Sequence, residues 1–383
     1  MKKYILLLAF VFALIVPSVA TEPVLKDTQG WEIDSIAPGM TWYKYYKKYK
    51  SVNQRINVLE IDVQRPEYSL EIKYIPSADS LSHLAYMSGA IAGINGAYEL
   101  YASFIRSNGT TYSQPSRAVQ ETTHLRHWKY EGAFFYNDET KSVDIQYREN
   151  DGDGYYSSLY PNIISGAPVL IRNYTPVGAS FVGDVSGLNL DALDYEDYRR
   201  HQGVRHPRTA IAIMEDGKAL LITVDGRRTV SEGINAKDLT EFITYYFNPK
   251  HALNLDGGGS TAMYIQGEAG YDNNGIINCP VDENMDYNQR LLNSFILVKK
   301  KNISSQQEIN RDNHLVVKHQ PNGLLISSDK NIQTITLYNI TGQKLYENIL
   351  PGKQYEIRDI PTGVYILKAL VENRSISQKI IIK

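Results

Sequence analysis

The chain's apolar residues recur mostly at every second position. Leu59, Ile61 and Val63 alternate with Glu60 and Asp62, and Leu70, Ile72 and Tyr74 alternate with Glu71 and Lys73. Both stretches predict half-buried strands. AIAGING (90–96) reads as a buried strand ending on Asn95-Gly96, and ISGAPVLI (164–171) as a strand interrupted by glycine and proline. TAIAIM and ALLITV (209–214 and 219–224), joined by EDGK, predict a strand, a turn and a strand that closes on Asp225-Gly226-Arg227-Arg228. WEIDSIAPGMTWYKYYKKYK (31–50) reads as a loop and then a Tyr/Lys alternation, an exposed strand whose lysines form a solvated face.

The period becomes helical in two places. Asp79 or Ser80 caps a short helix carrying Leu81, Leu84 and Ala85 on one side. From Asn235, which stands three residues before Asp238 as a capping pair, Leu239, Phe242, Ile243 and Tyr246 recur at helical spacing until Asn248-Pro249. A short strand, 252–255, then delivers Asp256 and the glycines 257–259. Strands, a helix and strands in this order predict an α+β domain, a mixed sheet flanked by helices with polar residues at its strand ends.

The chain's ends differ from its middle. Met1-Lys2-Lys3, an apolar stretch and Pro17-Ser18-Val19-Ala20 read as a secretory signal peptide over 1–20. No later segment approaches the roughly 18 apolar residues of a membrane-spanning helix. Residues 300–315 are polar and aperiodic, a linker between a domain at 21–299 and evenly spaced short strands at 316–383 that predict a small all-β sandwich. A formal net charge of -2 excludes bulk electrostatic binding to nucleic acid or to an anionic membrane. The single cysteine, Cys279, permits no internal disulfide and reads as a small buried residue. Tyrosine is in excess, 29 against 9 phenylalanines, which fits an exported β-rich protein and also a saccharide-binding surface.

Candidate chemistry gathers at predicted strand ends: Asn95-Gly96, Arg208-Thr209, Asp225-Gly226-Arg227 and Asp256-Gly257-Gly258-Gly259-Ser260. Side chains from distant parts of a sequence converge at the rim of a sheet. Arginine forks and successive glycine N–H groups recognise anions. Carboxylates serve as acid, base, nucleophile or metal ligand. Asp225, Asp256 and Asn254 offer hard oxygen ligands, so a divalent cation, calcium or magnesium, stays open as a cofactor, with none required. ENDGDGYY (149–156) has Asp151, Asp153 and Gly154 in a calcium-loop arrangement but Asn162 where the loop's last glutamate belongs, and reads as a solvated turn. His206 reads as a structural histidine before a general acid or ligand. Ser260 has no base partner in sequence and reads as a turn or phosphate-contacting hydroxyl.

In their joint order, IAPGMTWY, AIAGINGAYE, IISGAPVLI, HPRTAIAIMEDGKALLITVDGRR, GINAKDLTEFI and LNLDGGGSTAMYI make residues 30–298 resemble the phosphodiester glycosidase family. The resemblance implies cleavage between a sugar's anomeric carbon and the phosphate of a sugar 1-phosphodiester of the N-acetylglucosamine-1-phosphodiester type. The products are free sugar and a phosphomonoester. An oxocarbenium-like transition state needs a carboxylate at the anomeric carbon. Asp256 is the first candidate, Asp225 the second and Glu99 the third. Arg208, Arg227 and the amides of Gly257, Gly258 and Gly259 are placed to stabilise the departing phosphate, with Asn95, Gly96, Thr209 and Ser260 around them. The chain departs from the family pattern at Ala97-Tyr98-Glu99, where an aromatic pair is usual, and at Ala167, where a glycine is usual. Insertions at Tyr101 to Trp128 and Asp191 to His201 are expected to build a rim of their own.

LYNITGQKL, IPTGVYILKAL and the terminal KIIIK resemble the C-terminal sorting modules of secreted Bacteroidetes proteins, implying delivery by a secretion machinery to the periplasm, the cell surface or the medium. Two other readings stay open: a non-catalytic surface module binding phosphorylated or acidic saccharides, and a metal-dependent phosphodiesterase.

Overall fold

The computed structural model describes residues 25–148, 153–179, 185–270, 273–282, 287–301, 315–320, 323–339, 342–349, 351–371 and 374–382. The signal segment, most of the expected linker and Asp151 of the calcium-like loop lie outside these residues.

The largest sheet has seven strands, in the order Glu32–Ala37, Met40–Tyr45, Ile56–Ile61, Ala219–Val224, Arg208–Ile213, His251–Asn254 and Val169–Arg172. Every neighbouring pair is antiparallel. Its central strands are apolar at successive positions because both faces are covered. Leu59, Ile211 and Leu221 enter a core shared with the other sheets, whereas Val58, Ala210, Ala212 and Ile222 pack beneath the helix Ala236–Tyr246. Asn235 caps that helix, its Oδ1 accepting the Asp238 N–H at 2.7 Å, and Leu239, Phe242, Ile243 and Tyr246 form its buried face.

The expected mixed sheet with flanking helices is realised as a mostly β domain. Ala219–Val224 and His251–Asn254 run parallel, joined by the helix as a crossover, but Arg208–Ile213 lies between them and pairs with both. The strand-helix-strand signal is therefore present while the hydrogen bonding stays antiparallel. Two other expectations change. Met40–Tyr45 is an interior strand, not an exposed one: Trp42 packs into one core, Tyr43 and Tyr45 into the other, and Lys44 lies over the Trp42 ring at 4.0 Å while pairing with Asp34. The aromatic rings gain more by burial than the lysines lose. Ile56–Ile61 is buried on both faces, with Glu60 accepting the Tyr43 hydroxyl at 3.2 Å and lying 3.5 Å from Lys218.

A four-stranded sheet (Met263–Ile265, Ala90–Asn95, Leu292–Lys300, Tyr68–Asp79) and a five-stranded sheet (Ser142–Tyr147, Gly132–Asn137, Asn162–Gly166, Ile105–Ser107, Thr110–Ser113) enclose the shared core with the first. ISGAPVLI is split between two sheets, since Asn162–Gly166 and Val169–Arg172 diverge around Ala167-Pro168. The C-terminal strands form one curled six-stranded sheet rather than a sandwich of two. Gly323–Asn339 pairs through its first half with Leu315–Gln320 and Gly352–Arg358, and through its second with Lys344–Asn348 and Gly363–Val371. That single long strand bends the sheet around Leu324, Ile326, Leu337 and Leu367.

Phe242 packs against Trp31 at 5.7 Å and Tyr45 at 5.1 Å between ring centroids. Phe242→Ala is expected to destabilise this domain by about 3–5 kcal/mol. All three tryptophans, Trp31, Trp42 and Trp128, lie in it, so urea unfolding followed by tryptophan fluorescence reads the change directly.

Candidate active site

The register of the large sheet brings the predicted segments to one rim. Arg208 stands opposite Val224 and Ala210 opposite Asn254, so the start of one strand meets the ends of its two neighbours. Asn95, last residue of a strand in the four-stranded sheet, ties the sheets together. Its Nδ2 donates to the Asp256 carbonyl at 2.7 Å, and its Oδ1 accepts from the Thr209 hydroxyl at 2.7 Å and the Ala262 N–H at 3.1 Å. The Gly96 carbonyl accepts the Asp256 N–H at 3.1 Å. A side chain at Gly96 would meet Ser294 backbone at 2.8 Å, so glycine is what allows this approach.

A cleft of about 490 Å³ opens at this rim, lined by Asp256, Glu99, Arg227, Gly257, Gly258 and Ser260 among others. Burial pushes the Asp256 carboxyl up to about 6, and the charge of Glu99 adds to this; the Ser260 hydroxyl, Lys129 and Arg290 act in the opposite sense. Glu99 is gripped by Lys129, whose Nζ lies 2.8 Å from both carboxylate oxygens and 2.7 Å from Glu196. Arg227 holds a left-handed backbone, φ +61°, a conformation that costs a non-glycine residue and clusters at functional sites. Its Nη1 donates to the Val281 carbonyl at 3.2 Å.

Each glycine of the triplet has a separate reason. A Cβ on Gly257 would meet the Pro207 carbonyl at 2.8 Å, Gly258 has φ +60°, and a Cβ on Gly259 would strike Arg290 and Asp282 at 2.7 and 2.8 Å. The Gly258 N–H donates to Pro207 O at 2.8 Å and the Ser260 N–H to Gly257 O at 3.1 Å. The Gly257 and Gly259 amides carry no hydrogen bond among the described residues.

Other predicted residues lie behind the cleft. Asp225 is buried, its Oδ1 accepting from Asn278 Nδ2 and the Cys279 N–H, each at 3.0 Å. Burial raises its carboxyl; those two bonds and Arg55 and Arg228 oppose the rise. Arg208 is 1% exposed. It donates through Nε to Ile234 O at 3.0 Å and through Nη2 to His201 O and Val204 O at 2.6 and 3.0 Å, closing the C-terminal end of the helix Tyr198–Gly203. Burial lowers it to about 10, so it keeps its charge near neutral pH. Asn95 and Thr209 are spacers between sheets. Of the oxygen set Asp225, Asp256 and Asn254, Asp225 Oδ1 accepts from two N–H donors and the Asn254 amide nitrogen donates to Tyr98, Ala167 and Leu255. Among the described residues no three His, Cys, Asp or Glu side chains are grouped to hold a metal ion.

The lining residues Lys129, Glu196 and Arg290 were not singled out from the sequence, while Tyr98 entered only as a departure from the family pattern and His201 only as the end of an insertion. Tyr101, Tyr195, Glu196 and His201 come from the two insertions, whose Tyr, Arg and Asp content was the available signal. Tyr98 donates to Ala167 O at 2.8 Å and accepts from Asn254 at 3.1 Å. Its one proton is thus spent, and the 3.2 Å contact with His201 Nε2 needs the imidazole to donate. Burial and the charge of Arg208 hold His201 well below its ordinary value, and His206 falls to about 3 through burial, then Arg208 and Arg227. Both are neutral imidazoles near pH 7.

Carboxylates, arginines and a glycine turn thus meet in one cleft at the ends of antiparallel strands. The family model for phosphodiester glycosidase matches residues 88–299, more than half of the chain, and the chain belongs to that family. A secretion system C-terminal sorting domain matches residues 320–383, and it marks the protein for export. A SPbeta prophage-derived protein of Bacillus subtilis, YomE, is 31% identical over 149 residues, 34% of this chain and 22% of its own length. Bovine N-acetylglucosamine-1-phosphodiester alpha-N-acetylglucosaminidase is 29% identical over 109 residues, 28% of this chain and 20% of that protein. The matched stretches thus span about a fifth of these relatives. The solved catalytic domain of the zebrafish enzyme of that name superposes with a TM-score of 0.47 at 17% identity, covering 74% of this chain and 85% of that one. Among the described residues no helix is long and apolar enough to cross a membrane.

Asp256 titrates at an ordinary low value in the unfolded chain and at about 6 in the fold. Its ionisation therefore costs nothing below both values and is fully paid above about pH 6. Asp256→Asn is expected to be more stable than wild type near about pH 7.5, by up to about 3 kcal/mol, and equal to it near about pH 4. Thermal unfolding at the two values checks this; a variant less stable at the higher pH would show that the fold favours the charge.

Proposed function

We propose that the protein is an exported hydrolase that cleaves the anomeric C–O bond of a sugar 1-phosphodiester, releasing free sugar and a phosphomonoester. The observation that carries this reading is the meeting, in one cleft, of two carboxylates, Asp256 and Glu99, with Arg227, Arg290 and the Gly257 amide. Residues 21–299 are the catalytic unit, 300–315 the linker and 316–383 the sorting module.

A phosphomonoester is a good leaving group, so the departing negative charge needs more help than the leaving oxygen's protonation. Arg227, Arg290 and the free glycine amide supply that help from one wall. Asp256 is the carboxylate that works at the anomeric carbon, as base for water or as nucleophile; in both courses the water oxygen ends on the sugar. Its elevated titration leaves it ionised above about pH 6, so turnover falls as pH drops through that value. Glu99, fixed by Lys129, is the second carboxylate facing the substrate. Asp225 and Arg208 shape the rim from behind.

Incubation with sugar 1-phosphodiesters in oxygen-18 water, read by phosphorus and proton NMR, tests the reading. Label on the anomeric oxygen, unlabelled phosphomonoester and at least about a thousandfold loss of turnover in Asp256→Asn are expected. Label in phosphate would assign the chain to phosphodiesterases, and intact substrate that still binds would make it a saccharide-binding module.

A further inference from the structure

Two guanidinium groups face the cleft beside the glycine triplet, and one carboxylate stands behind them. Arg290 donates to Asp282 through Nε at 2.9 Å and Nη2 at 2.5 Å, a two-point fork that fixes the plane of the guanidinium. Arg227 Nη1 lies 3.9 Å from the same carboxylate. Arg227 and Arg290 line the cleft, whereas Asp282 does not. Gly259 leaves the room for this packing, because any Cβ there would strike both members of the Arg290–Asp282 pair. Arginine keeps its proton, so the pair is doubly positive, and Asp282 cancels one charge without entering the substrate's space.

That balance matches the charge change of the reaction proposed above, on which this inference rests. Water adds its oxygen to the anomeric carbon, the C–O bond breaks with its electron pair on the phosphate oxygen, and a water proton goes to solvent. A monoanionic diester thereby becomes a monoester carrying about two negative charges near neutral pH. We propose that Asp282 is a positioning residue that sets the arginine pair to hold the monoanionic substrate and to release the dianionic product. With Asp282 in place, the Arg227, Arg290 and Asp282 group carries one net positive charge, beside Asp256, Glu99 and Lys129 in the same cleft, and so matches the single negative charge of the diester; the product brings one negative charge more than this group offsets.

Phosphorus NMR titration of the full chain with dimethyl phosphate, a monoanion, and methyl phosphate, a dianion at about pH 8, tests this without requiring turnover. Wild type is expected to bind the dianion no more than about threefold more tightly than the monoanion, and Asp282→Asn to gain about tenfold for the dianion with less than about threefold change for the monoanion. Asp282→Glu restores the wild-type ratio. A wild-type protein that strongly prefers the dianion, or that binds neither anion, overturns the proposal even if the variants fail to fold. Loss of both anions together in Asp282→Asn also overturns it, leaving Asp282 as a structural clamp on Arg290. Because binding alone is read, an absence of hydrolysis would count against the proposed reaction and not against the charge setting.

Discussion

The Asn95 side chain is the contact on which the rest of the site depends. One amide reaches the Asp256 carbonyl, the Thr209 hydroxyl and the Ala262 N–H, and it is fully buried. These partners belong to three segments of the chain, so a single side chain fixes how the four-stranded sheet meets the seven-stranded one. Leaving any of those buried groups unpaired costs more than the bond itself contributes. The position of Asp256 follows from backbone hydrogen bonds at its N–H and carbonyl, and its carboxylate remains available to the cleft.

The site is held against its own preferences. Asp256 is ionised where burial disfavours charge, Arg227 adopts a backbone that a side chain resists, and Arg208 is desolvated completely. Each is tolerated because the strands beneath are buried on both faces and do not yield. The apolar runs of Arg208–Ile213 and Ala219–Val224 lie in two cores at once, which gives the rim a rigid base. A loop bearing the same residues would relax toward the solvated carboxylate and the unstrained arginine.

Much of this was legible in the sequence, for physical reasons that also mark its limits. The helix after Asn235 announced itself because its cap and its apolar spacing are local. The strand ends at Asn95, Val224 and Asn254 were legible because a run of apolar residues stops at a polar, glycine-rich step. Sheet order was not, since the placing of Arg208–Ile213 between two parallel strands is a long-range pairing with no local signature. The Tyr/Lys stretch misled because alternation shows which residues share a face but not whether a second core covers the other. Asp225 and Asp256 both begin Asp-Gly steps at strand ends, yet one turns toward Asn278 and Cys279 and the other toward the cleft. Lys129, Glu196 and Arg290 carried no signal of their own, because each matters only through a partner far away in sequence.

The two kinds of lining residue do different work. Asp256, Gly257 and Gly258 follow a strand end and are positioned from behind the cleft, Asp256 by the Gly96 carbonyl and the Asn95 side chain and Gly258 by the Pro207 carbonyl. Tyr101 and Tyr195, in contrast, rise from the inserted segments, are about half exposed at 47% and 54%, and are braced by Arg126 and Arg200 at 5.7 and 5.3 Å from their rings. Exposed rings at the mouth of a polar cleft suit the apolar face of a sugar better than its charge. On the proposed reaction, the strand ends supply the groups that act on the phosphate-bearing bond and the insertions supply the rim that meets the rest of the substrate. Because Arg126 also contacts Glu196, and Glu196 shares Lys129 with Glu99, the two tasks meet in one chain of ion pairs. The rim and the second carboxylate are thus linked by ion pairs, whereas the first carboxylate is held by Asn95 and Gly96.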